Sequence, residues 1–362
     1  MSLFCHLELV KENRSTINQE HNLVDVLFLV ISAVTAGCEG WKDIEIYGHS
    51  KLNWLRQFRP FNAGIPTRHS IARIFRVVDT DSQVLSLFSW VNEHRQKSAK
   101  PVIAFDGKML RGTSQHLPEN LHLVSAFDCE SGLTLLQKQV DGKSNEIPAV
   151  RALLDILDIT DTVVTLDALH CQKETLKRLT QRQADYVVQV KGNQQKLYTV
   201  INQCFSQAGE PGASVCSSHS QGHGREEVRQ VSLLDASQLP QDILPHWPGV
   251  KRIVAVERER SQGQKTSYST HYYLTSLDHA DSIAKAIRQH WLTENQQHWV
   301  LDVVFKEDEC QIQEPISAQN MALFRRVVRN MVKQHSKSKD SIRGKCVRAS
   351  FDDNFRAELL FG

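Results

Sequence analysis

Apolar positions fall into blocks of different period along the chain. Between about His21 and Gln96 the spacing is helical. VDVLFLVISAVTAG is apolar on most faces and stops at Gly37, which predicts a buried helix closed by a glycine. WKDIEIYGHSKLNWLRQF follows, with Trp41, Ile44, Ile46, Leu52 and Leu55 placed for packing. Pro60 and GIP at 64–66 break the chain. Thr67 is then placed to cap a helix carrying Ile71, Ile74 and Val77, and DSQVLSLFSWVNEH supplies another. After Ser98 to Pro101 the runs shorten. PVIAFDGK, LHLVSAFD and GLTLLQKQV read as strands, with a hairpin turn at 129–132. IPAVRALLDILD is helical, TVVTLDA a buried strand, ETLKRLTQRQ a helix and DYVVQVKGN a further strand. That order predicts an α/β layer fold with a mixed sheet. From about Leu197 to Ser276, VRQVSLL, KRIVAVERER and THYYLTSL look like strands separated by polar stretches such as SSHSQGHG, a β-rich insertion. Helical spacing returns near 281–299 and 317–332.

Composition narrows the picture. A chain of 362 residues with 41% apolar content suggests about two or three globular domains. Net charge is only +2, so any nucleic-acid signal must be local. The eight cysteines are scattered with no C-x-x-C pair, which favours reduced thiols in a cytoplasm over disulfides or a zinc finger. The early charges Glu8, Lys11, Glu12, Arg14 and Glu20 do not read as a signal peptide. The longest apolar run, near Val24 to Cys38, is interrupted by Asp25 and falls short of a membrane span. A cytoplasmic protein with no membrane partner is expected. One stretch, about 325–348, concentrates basic residues, including Arg325, Arg326 and Arg329, with Asp340 as its only acid. It reads as a local footprint for DNA phosphates.

The candidate chemistry lies in acids. Asp106 and Asp167 each stand where an apolar run ends, and strand C-terminal ends are where ligand sites gather in α/β sheets. Two carboxylates on neighbouring strands suit Mg²⁺ or Mn²⁺; a D-G turn at Asp106 and a helix cap at Asp167 are the plainer alternatives. Glu294 lies in IRQHWLTENQQHWVLDVVF. If that stretch is one α-helix, His290, Glu294 and His298 form a polar face, opposite Ile287, Trp291 and Leu292, which would lie against the sheet. A third carboxylate there would complete a two-metal site. Asp302, Glu307 and Asp308 are rival third ligands. The histidine spacing lacks the H-E-x-x-H pattern of zinc proteases.

FDGKMLRGT, VVTLDALHCQK, ADYVVQVKGNQ, HGREE, HYYLTSL, HWLTENQQHWVLDVVFKED and AQNMALFRRVVRNMV occur in that order. Together they resemble the DDE insertion-sequence transposases that include the H-repeat-associated proteins. AVTAGCEGWKDIEIYG and LRQFRPFNAGIPTRHS resemble the helical part that precedes the catalytic domain in that family, so the likeness covers about residues 21–356. It implies a helical N-terminal domain, 1–98; a compact helical domain of this size either contacts DNA or serves packing or dimerisation. An RNase H-like DDE domain, 99–362, would follow, with its β-rich insertion at about 197–276. The first acid would be Asp106, the second Asp167 and the third Glu294. The implied reaction is metal-dependent hydrolysis and strand transfer on double-stranded DNA, namely element terminal repeats and target, by a homodimer on paired ends. Matching positions that the resemblance makes candidate DNA contacts are Lys108, Arg111, Lys191, Asn193, His223, Arg225, Arg288 and His298. Thr293 stands where the family pattern has isoleucine. That departure gives weight to an inactive or repurposed DNA-binding remnant; an endonuclease using the same acids without strand transfer is a separate alternative.

Overall fold

The computed structural model describes residues 3–15, 19–93, 95–96, 98–115, 120–140, 146–208, 214–222 and 225–362. Five helices come first: α1 (Leu3–Leu7), α2 (Leu23–Thr35), α3 (Trp41–Leu55), α4 (Arg68–Val77) and α5 (Thr80–Glu93). Every residue of α2 is buried, as its apolar-all-round sequence requires. Asn22 caps its start and Gly37, at φ +87°, lets the chain turn away after it. Thr67 caps α4 by accepting from the Ser70 amide.

A nine-stranded mixed sheet follows, in the order β3-β2-β1-β4-β5-β9-β8-β7-β6. Strands β1 (Val102–Met109), β2 (His122–Asp128) and β3 (Leu133–Val140) form an antiparallel meander. β4 (Val163–Leu166) and β5 (Asp185–Val190) run parallel to β1, linked by α6 (Glu146–Ile156) and α7 (Lys173–Gln181). This is the RNase H-like half of the sheet. Its strands are apolar on both faces because both faces are covered. Ile103 and Phe105 of β1 join the core containing α6 and α7, while Val102 and Ala104 face Ile283 and Ala286 of α9 (Ala280–His290).

The chain then leaves this half through α8 (Gln195–Ala208), a helix within the stretch expected to be β-rich. Two long hairpins extend the same sheet: β6 (Ser214–Gly222) with β7 (Arg225–Asp235), and β8 (Arg252–Gln262) with β9 (Lys265–Thr275). β6 was not expected as a strand. Its sequence SVCSSHSQG lies at the sheet edge and lacks the apolar alternation of a strand with a packed face. After α9 come α10 (Trp299–Val303), α11 (Pro315–Gln334), α12 (Ile342–Phe351) and α13 (Asp353–Phe361).

The first five helices have no separate core. One apolar cluster runs from Leu3 through the buried residues of α11 to Leu360, joining them to the sheet. Cys38, Cys129, Cys171, Cys204, Cys216, Cys310 and Cys346 are free thiols. Among the described residues, no helix is long and apolar enough to cross a membrane.

Candidate active site

Register places the two aspartates. The parallel pairing of β1 with β4 ends at Phe105 opposite Leu166, so the next residues, Asp106 and Asp167, emerge side by side. β1 itself continues to Met109 beside β2, with Asp106 opposite Ser125. Asp106 therefore sits inside a strand, at the point where one neighbour stops and the other continues. Alternation turns its side chain toward α9, the face shared with Val102 and Ala104. Asp167 begins a short 3-10 turn, Ala168–His170, and accepts from the Leu169 amide at 3.1 Å.

Burial holds the Asp106 carboxyl above the ordinary carboxylate range, with Asp167 pushing the same way and His298 and His290 opposing. His290 ends α9, bonds Thr165 Oγ1 through Nδ1 at 3.0 Å, and has its own pKa lowered by burial. Two neighbouring carboxylates in a partly desolvated crevice are an oxygen-donor set that favours a hard divalent cation.

Glu294 is not on an α-helix. Residues Thr293–His298 form a π-helical turn between α9 and α10. Glu294 accepts from His298 Nδ1 at 3.0 Å, and the same nitrogen stands 3.7 Å from Asp106 Oδ2. That hydrogen bond holds the Glu294 carboxyl below its usual range. Among the described residues no three His, Cys, Asp or Glu side chains are grouped closely enough to hold an ion. The expected helical face also breaks up. His290 is bonded to Thr165, His298 links Asp106 to Glu294, and Trp291 is 60% exposed instead of packed on the sheet. Ile287 and Leu292 do pack there.

The rival third acids are engaged elsewhere. Lys108 Nζ reaches Asp302 at 2.8 Å and Asp308 at 3.2 Å, and Glu307 is fully buried against Arg326 at 2.6 Å. Two glycines explain the spacing of FDGKMLRGT. A Cβ on Gly107 would lie 2.6 Å from His122 Nε2 and 3.0 Å from the Glu146 carboxyl. On Gly112 it would lie 2.7 Å from the backbone of Asp308 and Cys310. Behind Gly107, Glu146 accepts from His170 Nε2 at 3.0 Å, and that nitrogen is 3.7 Å from Asp167.

Several expected DNA contacts are corrected by burial. Arg325 is 2% exposed and donates to Glu39 O. Arg326 is consumed by Glu307, and Arg329 donates to Gln296 O and Gly132 O. These arginines lie on the inner face of a helix buried along most of its length, so the basic run is not a solvated stripe. Lys108 and His298 are likewise buried and paired, and Asn193 Nδ2 donates to Ala168 O at 2.6 Å, bracing the turn after Asp167. Arg111, Lys191, Arg225 and Arg288 are exposed. His223 lies outside the described residues. The sequence reading missed His170 as a neighbour of the acids, and exposed Trp291 and Trp299 flanking Glu294. His170, three residues after Asp167 in LDALH, was the one local signal available.

Comparison with known proteins agrees with this architecture. The family model described as "Transposase DDE domain" matches residues 97–331, and one described as "DDE_Tnp_1-associated" matches residues 4–91. The chain is 33% identical, over 99% of its length and 97% of the relative's, to "H repeat-associated putative transposase YhhI" of Escherichia coli strain K12. It is 32% identical to "Putative transposase YncI" of Escherichia coli O157:H7, over 99% of this chain and 94% of the relative. Among solved structures, a piggyBac transposase synaptic complex with hairpin DNA aligns at TM-score 0.43 and 12% identity. The alignment covers 98% of this chain and 75% of that one. The chain belongs to the DDE transposase family, with the H-repeat-associated proteins among its relatives.

Proposed function

We propose that this protein hydrolyses phosphodiester bonds at the ends of a DNA element and transfers the 3′-hydroxyl to target DNA, using Asp106, Asp167 and Glu294. The observation that carries this reading is the emergence of Asp106 and Asp167 side by side where β4 ends, with Glu294 joined to Asp106 through His298. Mg²⁺ or Mn²⁺ held by these acids would activate the attacking oxygen and stabilise the leaving one. Asp106 and Asp167 supply the negative charge that retains the cation. His298 keeps the Glu294 carboxylate within reach of Asp106, where Glu294 would complete the donor set.

Charge on the hairpins supports DNA as the substrate. Directly opposed residues of antiparallel strands share a face. Arg225, Lys265, Arg229, Arg258 and Arg260 fall on the same face as Val231 and Val256, which belong to the cluster containing α9, and Glu227 lies among them, paired with Arg229 and Arg258. Glu226, Glu257 and Glu259 fall on the other face. The basic side thus continues from the acids, with exposed Arg288 on α9 beside it. Arg111 and Lys191 are further phosphate contacts in this reading. The paired ends would be held by two copies of the chain.

The test is cleavage of a duplex bearing the element's terminal repeat, with Mg²⁺, Mn²⁺ or EDTA, by wild type and Asp167→Asn. The expected result is metal-dependent cutting that EDTA and the substitution abolish, followed by strand transfer to a second duplex. Cutting without transfer would leave an endonuclease.

One observation favours the inactive alternative. Thr293, at the position where isoleucine was expected, is fully buried and its hydroxyl has no partner among the described residues. Duplex binding unaffected by Asp167→Asn, with no cutting under any metal, would establish that reading.

A further inference from the structure

The motif AQNMALFRRVVRNMV lies on α11, away from the acids, and its arginines are withdrawn from solvent. Arg329 is fully buried with no carboxylate partner among the described residues. Its Nε and Nη2 both donate to the carbonyl of Gln296, at 3.0 and 2.7 Å, and its Nη1 donates to Gly132 O at 2.8 Å and Asn330 Oδ1 at 3.0 Å. Its guanidinium lies 5.3 Å from the ring centroid of Phe127. Burying an unpaired guanidinium is costly unless carbonyl dipoles replace its water, which these four contacts do. Burial pulls its pKa down to about 9. Asn330 clamps the backbone of Thr134 on both sides, accepting from its amide at 3.0 Å and donating to its carbonyl at 2.7 Å.

Both clamps end on the same π-helical turn. Gln296 contributes the carbonyl taken by Arg329. Gln297, fully buried, accepts from Thr134 Oγ1 at 2.8 Å and donates to Ser125 Oγ at 2.6 Å. Ser125 is the residue directly opposite Asp106. A π-helical turn is uncommon and depends on its surroundings to persist. Here its carbonyl and its one inward amide side chain are tied to α11 and to the strand beside the first acid.

We infer that Arg329 and the Thr134–Gln297–Ser125 chain are positioning residues that hold the π-helical turn, and so set Glu294 at its distance from Asp106. This rests on the proposed role of Glu294 and adds the parts that fix its place.

The test compares wild type, Glu294→Gln, Arg329→Lys and Thr134→Val, the last nearly isosteric and chosen to leave the fold intact. Three quantities are read on the full chain: thermal melting, hydrogen–deuterium exchange of amides 293–300, and the Mn²⁺ concentration giving half-maximal duplex cleavage. Expected are faster exchange confined to 293–300 and at least a tenfold rise in half-saturating Mn²⁺ for Arg329→Lys, with a smaller rise for Thr134→Val. Normal exchange and wild-type Mn²⁺ dependence in folded Thr134→Val and Arg329→Lys would overturn the inference. If Arg329→Lys does not fold, the result for Thr134→Val decides. Wild-type cleavage by Glu294→Gln would instead overturn the role of Glu294. In that case, unchanged exchange at 293–300 in Thr134→Val would overturn the clamp as well, and faster exchange would support it.

Discussion

At the scale of single residues, the site is shaped as much by missing atoms as by charged ones. Gly112 allows β1's exit to pass within contact of the Asp308 and Cys310 backbone, where there is no flexible side chain to yield. Gly112→Ala is expected to cost about 1–3 kcal/mol, as overpacking does, read from urea unfolding with the slope unchanged. An equal midpoint for both proteins would show that the neighbouring loop gives way. Thr293 works in the opposite direction. Its hydroxyl is buried without a partner among the described residues, so Thr293→Val is expected to raise stability by about 1–2 kcal/mol. A loss of stability in that variant would reveal a partner for the hydroxyl.

At the scale of elements, α11 organises what the strands present. Its three successive inward arginines reach three different places: Arg325 the turn before α3, Arg326 the Glu307 carboxylate, and Arg329 the π-helical turn. The Arg326–Glu307 pair is fully buried on both sides. Breaking it from one side leaves an uncompensated charge, so Arg326→Met is expected to cost about 3–5 kcal/mol. Arg326→Met combined with Glu307→Gln should recover part of that loss, because the stranded carboxylate is gone. A double variant no more stable than the single one would argue that the guanidinium's hydrogen bond to Ala322 O, rather than the charge pair, is what matters.

At the scale of the molecule, two properties follow from the layout. The apolar core is continuous from Leu3 to Leu360, so the N-terminal helices and the sheet are expected to unfold together in one transition. Two resolved calorimetric transitions would contradict that. Charge is nearly balanced overall at +2 yet segregated across the hairpins, so duplex affinity should fall steeply with salt. Arg225→Gln on the basic face should lower the magnitude of the log–log salt slope by about 1. Glu259→Gln on the reverse face should leave it nearly unchanged. Equal effects of the two substitutions would sink the assignment of DNA to the α9 side.

The sequence by itself determined most of the elements, because their signals are local. Apolar runs marked β1, β4 and β5, the period of α2 and the cap at Thr67 read directly, and the motif order pointed to the family. Asp106 and Asp167 could be picked out because each follows an apolar run. Elements whose partners are remote were not legible. β6 is polar and has no periodic signal, and α8 lay inside a stretch dominated by strands. The basic character of 325–348 was visible, but which way its arginines face was not. A one-dimensional charge run looks the same whether it meets solvent or carbonyl groups brought from residues 132 and 296. Tertiary structure alone decided that Arg325, Arg326 and Arg329 are buried, that Glu294 sits on a π-helical turn, and that Lys108 is bonded to both Asp302 and Asp308. Each outcome depends on groups far apart in the chain, and desolvation lets a buried charge persist only where such groups converge.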